Sequence, residues 1–346
     1  MQIVLPGALP DPREARELAS HLPDTAPTLV HWLQQSRAVI TAADPARAGC
    51  TAYEQWLLKS RGFTPDTGQN LSAGLGPLWG SPALAGNPPP SSCHDTAAWP
   101  NQTQNAEYTE AAPPYLAEPR QAIWLAELVH VAPSRDGAAL LPARDLAITP
   151  GQSVALFQSA QSLMEESGFT AYPSGPQHWR LDLHQHSGSP SASPALVAMT
   201  AVNDWWPQDI AARPWRRLVN ELQMLWFEHP VNQARAAQGL APINSLWLFG
   251  GARPEQFPAA AQIMPCRVCD NLLAPSLKHD WGGWIGALKE LEHTVFQPLA
   301  QRRITPELVL TGRDRIAELR PARFRSWTHW LPGSRDAWRI WWSPRN

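Results

Sequence analysis

A chain of 346 residues, 44% apolar and 17% charged, is long enough to bury a core with an added lobe, and its composition is globular. A net charge of −2 leaves no basic excess, so no nucleic-acid partner is expected. No run approaches the ~18 apolar residues of a membrane-spanning helix, so no membrane partner is expected either.

In chain order, Gln2 to Leu5 predict a short buried strand ended by Pro6-Gly7. Nothing basic precedes this apolar run, so it does not read as a signal peptide, and a cytoplasmic location is expected. Residues 12 to 22 predict a helix with Pro12 in its first turn. A second follows Pro27, over Thr28 to Ser36, with Leu29, Trp32 and Leu33 on one face. Residues 52 to 61 predict a third, stopped by Gly62. From 64 to 118 the periodicity dissolves into Gly, Pro, Ser and Asn, which reads as a long surface loop. Asn101-Gln102-Thr103 matches a glycosylation sequon by pattern alone.

Order returns with the strand-like QAIWLAELVHVAP from Gln121. Residues 151 to 168 predict a helix, and FTAYPSGPQHWRLDL predicts a hairpin around Pro-Ser-Gly-Pro. His178, His184 and His186 cluster on this hairpin. A metal reading is open to them, but no carboxylate-rich surround is evident. HSGSPSASP at 186 to 194 reads as a linker. Residues 214 to 229 form the strongest helix signal: Trp215, Leu218, Val219, Leu222, Leu225 and Trp226 follow helical spacing.

The stretch HPVNQARAAQGLAPINSLWLFGG then places a short helix at 231 to 238, a left-handed cap at Gly239 and a near-continuous apolar strand ended by two glycines. That apolar run reads as a buried parallel strand. Asn232, Arg235 and Asn244 are the candidate polar signature here. Physical chemistry alone favours side chains that bond exposed loop backbone. HDWGGWIGALKELEHTVFQPLAQR predicts a helix and ITPELVLTG a strand. The tail RFRSWTHWLPGSRDAWRIWWSPRN is aromatic and basic, and reads either as cover for a sheet edge or as an exposed interaction patch.

Pro (36) and Trp (18) are both over-represented. The tryptophans read as core filler or as a surface for sugars and flat ligands; their spread along the chain favours filler. Of Cys50, Cys93, Cys266 and Cys269, only the last two form a C-x-x-C. A zinc site needs four ligands, so this pair reads as two reduced thiols after a strand.

The run RRLVNELQMLWFEHPVNQARAAQGLAPINSLWLFGG resembles the signature of the RpfE-type regulatory proteins. That family in turn resembles the cofactor-independent phosphoglycerate mutases of the alkaline-phosphatase superfamily. The resemblance implies an α/β fold: an alkaline-phosphatase-like core with a mostly parallel sheet flanked by helices, plus a small inserted α+β lobe. The expected division is 1–118 and 195–346 for the two parts of the core, with 119–194 as the lobe. It also implies two divalent metals held by Asp and His about 4 Å apart beside a Ser nucleophile.

Matched position by position, that site is depleted. Where the mutases have Asp-Gly after the first strand, this chain has Pro6-Gly7. Their Asp-x-x-Gly-His becomes Asp280-Trp281-Gly282-Gly283-Trp284. Their Thr-Ala/Gly-Asp-His becomes Thr311-Gly312-Arg313-Asp314, and their Arg-Gly becomes Phe249-Gly250. No serine matches the nucleophile. His279, Asp280 and Asp314 are the residual site candidates. The expectation is a degenerate mutase-like protein without metal or other cofactor, catalytically silent, that serves a regulatory role by binding a protein partner or a small anionic ligand. The alternatives are an active metal-dependent mutase or phosphatase with a rearranged site, and an interaction module built on the Trp-rich tail.

Overall fold

The computed structural model describes residues 1–81, 84, 121–135, 137–184, 186, 188, 192–258, 266–321 and 337–343. Most of the predicted 64–118 loop, the Asn101 sequon, Cys93 and residues 322–336 of the tail lie outside them. Among the described residues the strands are β1 (Gln2–Pro6), β2 (Ser36–Ala42), β3 (Ile123–Ser134), β4 (Gly137–Leu141), β5 (Thr170–Pro173), β6 (His178–Asp182), β7 (Ser245–Ala252), β8 (Cys266–Val268), β9 (Glu307–Thr311) and β10 (Arg315–Pro321). They form two sheets, and the chain divides into two compact units.

The first unit comprises Met1–Pro45 and the described part of Gln262–Asn346. Its sheet has the order β2-β10-β9-β1-β8. β1 runs parallel to β8 on one side and to β9 on the other, with Val4 opposite Val268 and Pro6 opposite Thr311. β10 returns antiparallel to β9, and β2 antiparallel to β10. The fold class is therefore mixed α/β, and the expected mostly parallel sheet is corrected: only its β9-β1-β8 strip is parallel.

Helices Pro12–Thr25, Pro27–Gln35 and Trp281–Leu291 bury Leu18, Leu22, Leu29, Leu33, Trp284 and Leu288 in this unit's core. The Pro27–Gln35 helix has Ala26 at its N-cap, which offers no side-chain acceptor. Glu292 supplies one from elsewhere: its Oε1 accepts from the Thr28 N–H at 3.1 Å. Glu292 opens a π-helical turn (Glu292–Phe296), and Pro298, just beyond it, removes a ladder donor.

The tail is described in part. Its described part contains a short helix, Trp338–Trp342, whose Trp338 and Trp342 lie one turn apart and are buried in the same core. These rings do not form an exposed interaction patch.

The second unit comprises the described parts of Ala46–Asn87 and Asn105–Ala261. Its sheet is antiparallel throughout: β4-β3-β6-β5, with β7 also paired to β3. β7 is thus antiparallel, not parallel as its apolar run suggested. Burial on both faces produces such a run whatever the strand direction. The pairing draws β7 into the sheet of the expected inserted lobe. The two units divide near residues 45 and 261.

Helices Pro150–Glu166 and Arg213–Phe227 cover one face of this sheet with Leu156, Met164, Trp215, Leu218, Leu222 and Trp226. Thr149 and Gln152 cap the first through reciprocal hydrogen bonds. Thr51 and Glu54 do the same for the Ala52–Ser60 helix, and Ser193 Oγ donates to Glu54 Oε2 at 2.6 Å. The Glu54 carboxyl is pushed up by burial, and the Ser193 and Thr51 donors pull it back.

Part of the expected 64–118 loop is helical: Leu71–Gly74 forms a 3-10 turn and Leu75–Gly80 an α-turn. The glycines that read as loop signals allow close packing. A Cβ on Gly76 would collide with the Ile123 carbonyl oxygen.

Replacing Trp342 by Ala is expected to lower stability by about 3–5 kcal/mol in urea unfolding, because a fully buried ring is lost. Ile340→Ala, at a side chain 76% exposed on the same helix, is expected to change it by less than about 0.5 kcal/mol.

Candidate functional site

The polar signature forms a clasp around the return loop to β7, in which Ile243 is buried. The Pro230–Ala237 helix starts at His229, whose Nδ1 accepts from the Val231 N–H, and is followed by Gly239 at φ +71°. The chain then returns through residues 240–244 to β7. Asn232 is 4% exposed; its Nδ2 donates to the Trp226 and Ile243 carbonyls and its Oδ1 accepts from the Ile243 N–H. Arg235 is buried. Its Nε donates to the Ala241 carbonyl, Nη1 to Gln152 Oε1 and Nη2 to the Leu146 carbonyl. Burial pulls this guanidinium below its ordinary pKa. Asn244 bonds both the N–H and the C=O of Val131, at 2.8 and 2.9 Å, and so extends the β3–β7 pairing by one side chain. All three residues spend their hydrogen bonds on backbone or on Gln152.

In open α/β sheets, ligands bind beyond the carboxyl ends of parallel strands. Here those ends are Pro6 of β1, Val268 of β8 and Thr311 of β9, side by side. Gly7 follows β1 at φ +76°, and a Cβ there would meet the Leu272 carbonyl oxygen at 2.8 Å. Trp284 is 1% exposed, and its indole N–H donates to the Gly7 carbonyl at 2.9 Å. The chain end of β1 is thus covered by an indole.

The residual candidates are engaged separately. Asp280 caps the Trp281–Leu291 helix by accepting from the Gly283 N–H. Exposed His279 sits at φ +53°, with its ring edge-on to Trp281. Asp314, 59% exposed, pairs with Arg315 at 2.8 Å. The Arg315 guanidinium also donates to the carbonyls of Pro10 and Trp342, and Arg313 lies 3.8 Å from Asp11.

A pair of dications needs several converging carboxylates and imidazoles. Among the described residues, no three His, Cys, Asp or Glu side chains are grouped to hold a metal ion. A buried guanidinium and a satisfied indole occupy this strand edge instead. The residues present do not fit the two-metal group that the resemblance implies.

The hairpin histidines are spread apart. His178 meets Glu127, His184 meets Thr170, and His186 meets the Ser167 carbonyl. Cys269 is disulfide-bonded, which corrects the expectation of two reduced thiols. A polar surface cleft of about 450 Å³ follows β7, lined by Thr64, Asp66, Arg253, Glu255 and Gln256. Its Arg253 is already paired with Asp66 at 2.7 Å.

Sequence reasoning missed the Glu127–His178 pair. The signal was a single acid inside the apolar run AIWLAELVHV.

No family model matches the chain, and no curated protein sequence matches it. Two solved structures are loosely similar. One is a cofactor-independent phosphoglycerate mutase from Thermoplasma acidophilum, at 12% identity and a TM-score of 0.30, over 94% of this chain and 90% of that one. The other is the PH0037 protein from Pyrococcus horikoshii, at 11% identity and a TM-score of 0.43, over 92% of this chain and 86% of that one. Similarity at this level defines neither a shared active site nor a shared substrate.

Asn232→Ala is expected to cost about 2–4 kcal/mol, because the buried Ile243 N–H and C=O lose the Asn232 amide. Amide exchange at Ile243 should accelerate with it. Arg235→Lys is expected to be nearly as damaging as Arg235→Ala, since one ammonium cannot replace a three-way planar fork.

Proposed function

We propose that the chain is a degenerate relative of the cofactor-independent phosphoglycerate mutases. It has lost metal-dependent phosphoryl transfer and acts in a regulatory role by binding a protein partner or a small anionic ligand. The RpfE-type resemblance supplies the regulatory part of this reading. The observation that carries the loss of catalysis is the Trp284–Gly7 hydrogen bond at the end of β1.

The physical argument is one of occupancy and charge. A dication at this edge has to displace a fully buried indole and then find carboxylates to neutralise it. Pro6 and Gly7 offer none. The guanidinium of Arg315, 5% exposed, reaches the Pro10 carbonyl of the same loop. Two unit charges of like sign 4 Å apart repel by roughly 4 kcal/mol at an effective dielectric of 20, and a dication doubles this. A rearranged enzyme built on His279, Asp280 and Asp314 is less well supported, because Asp280 serves as a helix cap and Asp314 as a partner to Arg315.

The test uses the purified full chain. After dialysis, elemental analysis is expected to find substoichiometric manganese, zinc and iron. Calorimetric titration with manganese chloride should show no saturable uptake, and 2- and 3-phosphoglycerate should not interconvert when manganese is supplied. Retention of about two metal equivalents, with turnover abolished by Asp280→Ala, would overturn the reading.

A further inference from the structure

The sheet of the second unit carries a polar pair on the face turned away from its Leu156–Trp226 core. Glu127 of β3 and His178 of β6 are register partners, so their side chains stand together on one face. Glu127 is 7% exposed. Its Oε1 accepts from the Ala143 N–H at 2.8 Å, and its Oε2 lies 3.1 Å from His178 Nε2. Burying a carboxylate is costly unless its partners compensate. An acceptor for one helix-end amide does not require a second oxygen aimed at a half-buried imidazole.

That second contact has a chemical consequence. An accepting carboxylate oxygen fixes the imidazole proton on Nε2. Nδ1 is left with its lone pair, has no hydrogen-bond partner among the described residues, and is not among their buried unsatisfied atoms. It is therefore a fixed acceptor open to solvent, on a side chain 23% exposed.

An aromatic wall stands beside it. The Trp79 ring is 6.0 Å from the His178 ring and 5.6 Å from Phe249, which meets it edge-on at 69°. Phe249 is fully buried, whereas Trp79 is 38% exposed. A buried ring behind an exposed one holds the exposed one in place. The close approach of the Leu75–Gly80 turn to β3 fixes the backbone of Trp79: a Cβ on Gly80 would meet the side chains of Ile123 and Leu125.

We propose that Trp79 and His178 form a binding site for a flat, uncharged heteroaromatic ring with an N–H donor at its edge. The ring stacks on Trp79 and donates to His178 Nδ1. Glu127 is a positioning residue that selects a donor over an acceptor by fixing the tautomer. This proposal is independent of the reading given to the strand edge of the first unit.

Indole and 1-methylindole are the probes, since they share a ring and differ in the edge N–H. Full-length protein with ¹⁵N-labelled histidine reports both tautomer and binding, with His178 assigned through the His178→Asn variant. In the wild type, His178 is expected as the Nε2–H tautomer, and indole should shift it saturably with about tenfold higher affinity than 1-methylindole. Trp79→Ala should weaken both ligands by about tenfold. Glu127→Gln keeps an acceptor on Ala143 and turns its amide N–H toward Nε2. The imidazole proton then moves to Nδ1, and the preference for indole should vanish. Equal affinity of the two probes for the wild type, failure of indole to shift His178, or a Nδ1–H tautomer overturns the proposal. Those wild-type readings decide it even where Glu127→Gln fails to fold.

Discussion

Buried backbone polar groups must find partners, and in the second unit the return loop before β7 finds them through three side chains. Asn232 satisfies both backbone groups of Ile243, Arg235 reaches the carbonyls of Ala241 and Leu146, and Asn244 completes the hydrogen bonding of Val131. Without these contacts the backbone groups of buried Ile243 are left bare, at roughly 1–3 kcal/mol each. With them, β7 is delivered to β3 in one register, Phe249 opposite Leu125 and Trp247 opposite Glu127. The hydrogen bonds of the polar residues in the HPVN run are spent within the fold.

The first unit applies the same rule to a different end. The parallel strip β9-β1-β8 terminates in an edge where dipoles and loop amides ordinarily await a ligand. Here the Trp284 indole takes the Gly7 carbonyl and the Arg315 guanidinium takes those of Pro10 and Trp342. Side chains of this chain hold the carbonyls at this edge. One consequence is mechanical: Arg315 ties the start of β10 to both the Pro10 turn and the Trp338–Trp342 helix, so the edge and the tail brace one another.

Much of the local structure was legible in the sequence, and the reason is periodicity. The Arg213–Phe227 helix was readable because Trp215, Leu218, Val219, Leu222 and Trp226 repeat at helical spacing and face one core. β1 and β9 were readable as short apolar runs bounded by turn residues. Strand direction was not, because β7 looks the same parallel or antiparallel once both faces are buried. The Leu71–Gly80 segment was missed because Gly74, Gly76 and Gly80 act through close packing, which resembles loop composition. The Glu127–His178 pair joins residues 51 apart in sequence, and only the strand register places them together. Pro6, Trp284 and Arg313 were legible in the sequence; that the Trp284 indole reaches the Gly7 carbonyl needed three dimensions.

The position of β1 sets an order of events during synthesis. It is made well before its neighbours β8 and β9, which end at Val268 and Thr311. Until β8 has left the ribosome, the apolar segment Ile3-Val4-Leu5 has neither of its strand partners and waits unpaired. The residues forming the second unit emerge in between and can fold around their own sheet meanwhile. A nascent chain stalled midway therefore carries a finished unit behind an orphaned leading strand, the kind of species on which a chaperone that recognises short apolar segments acts.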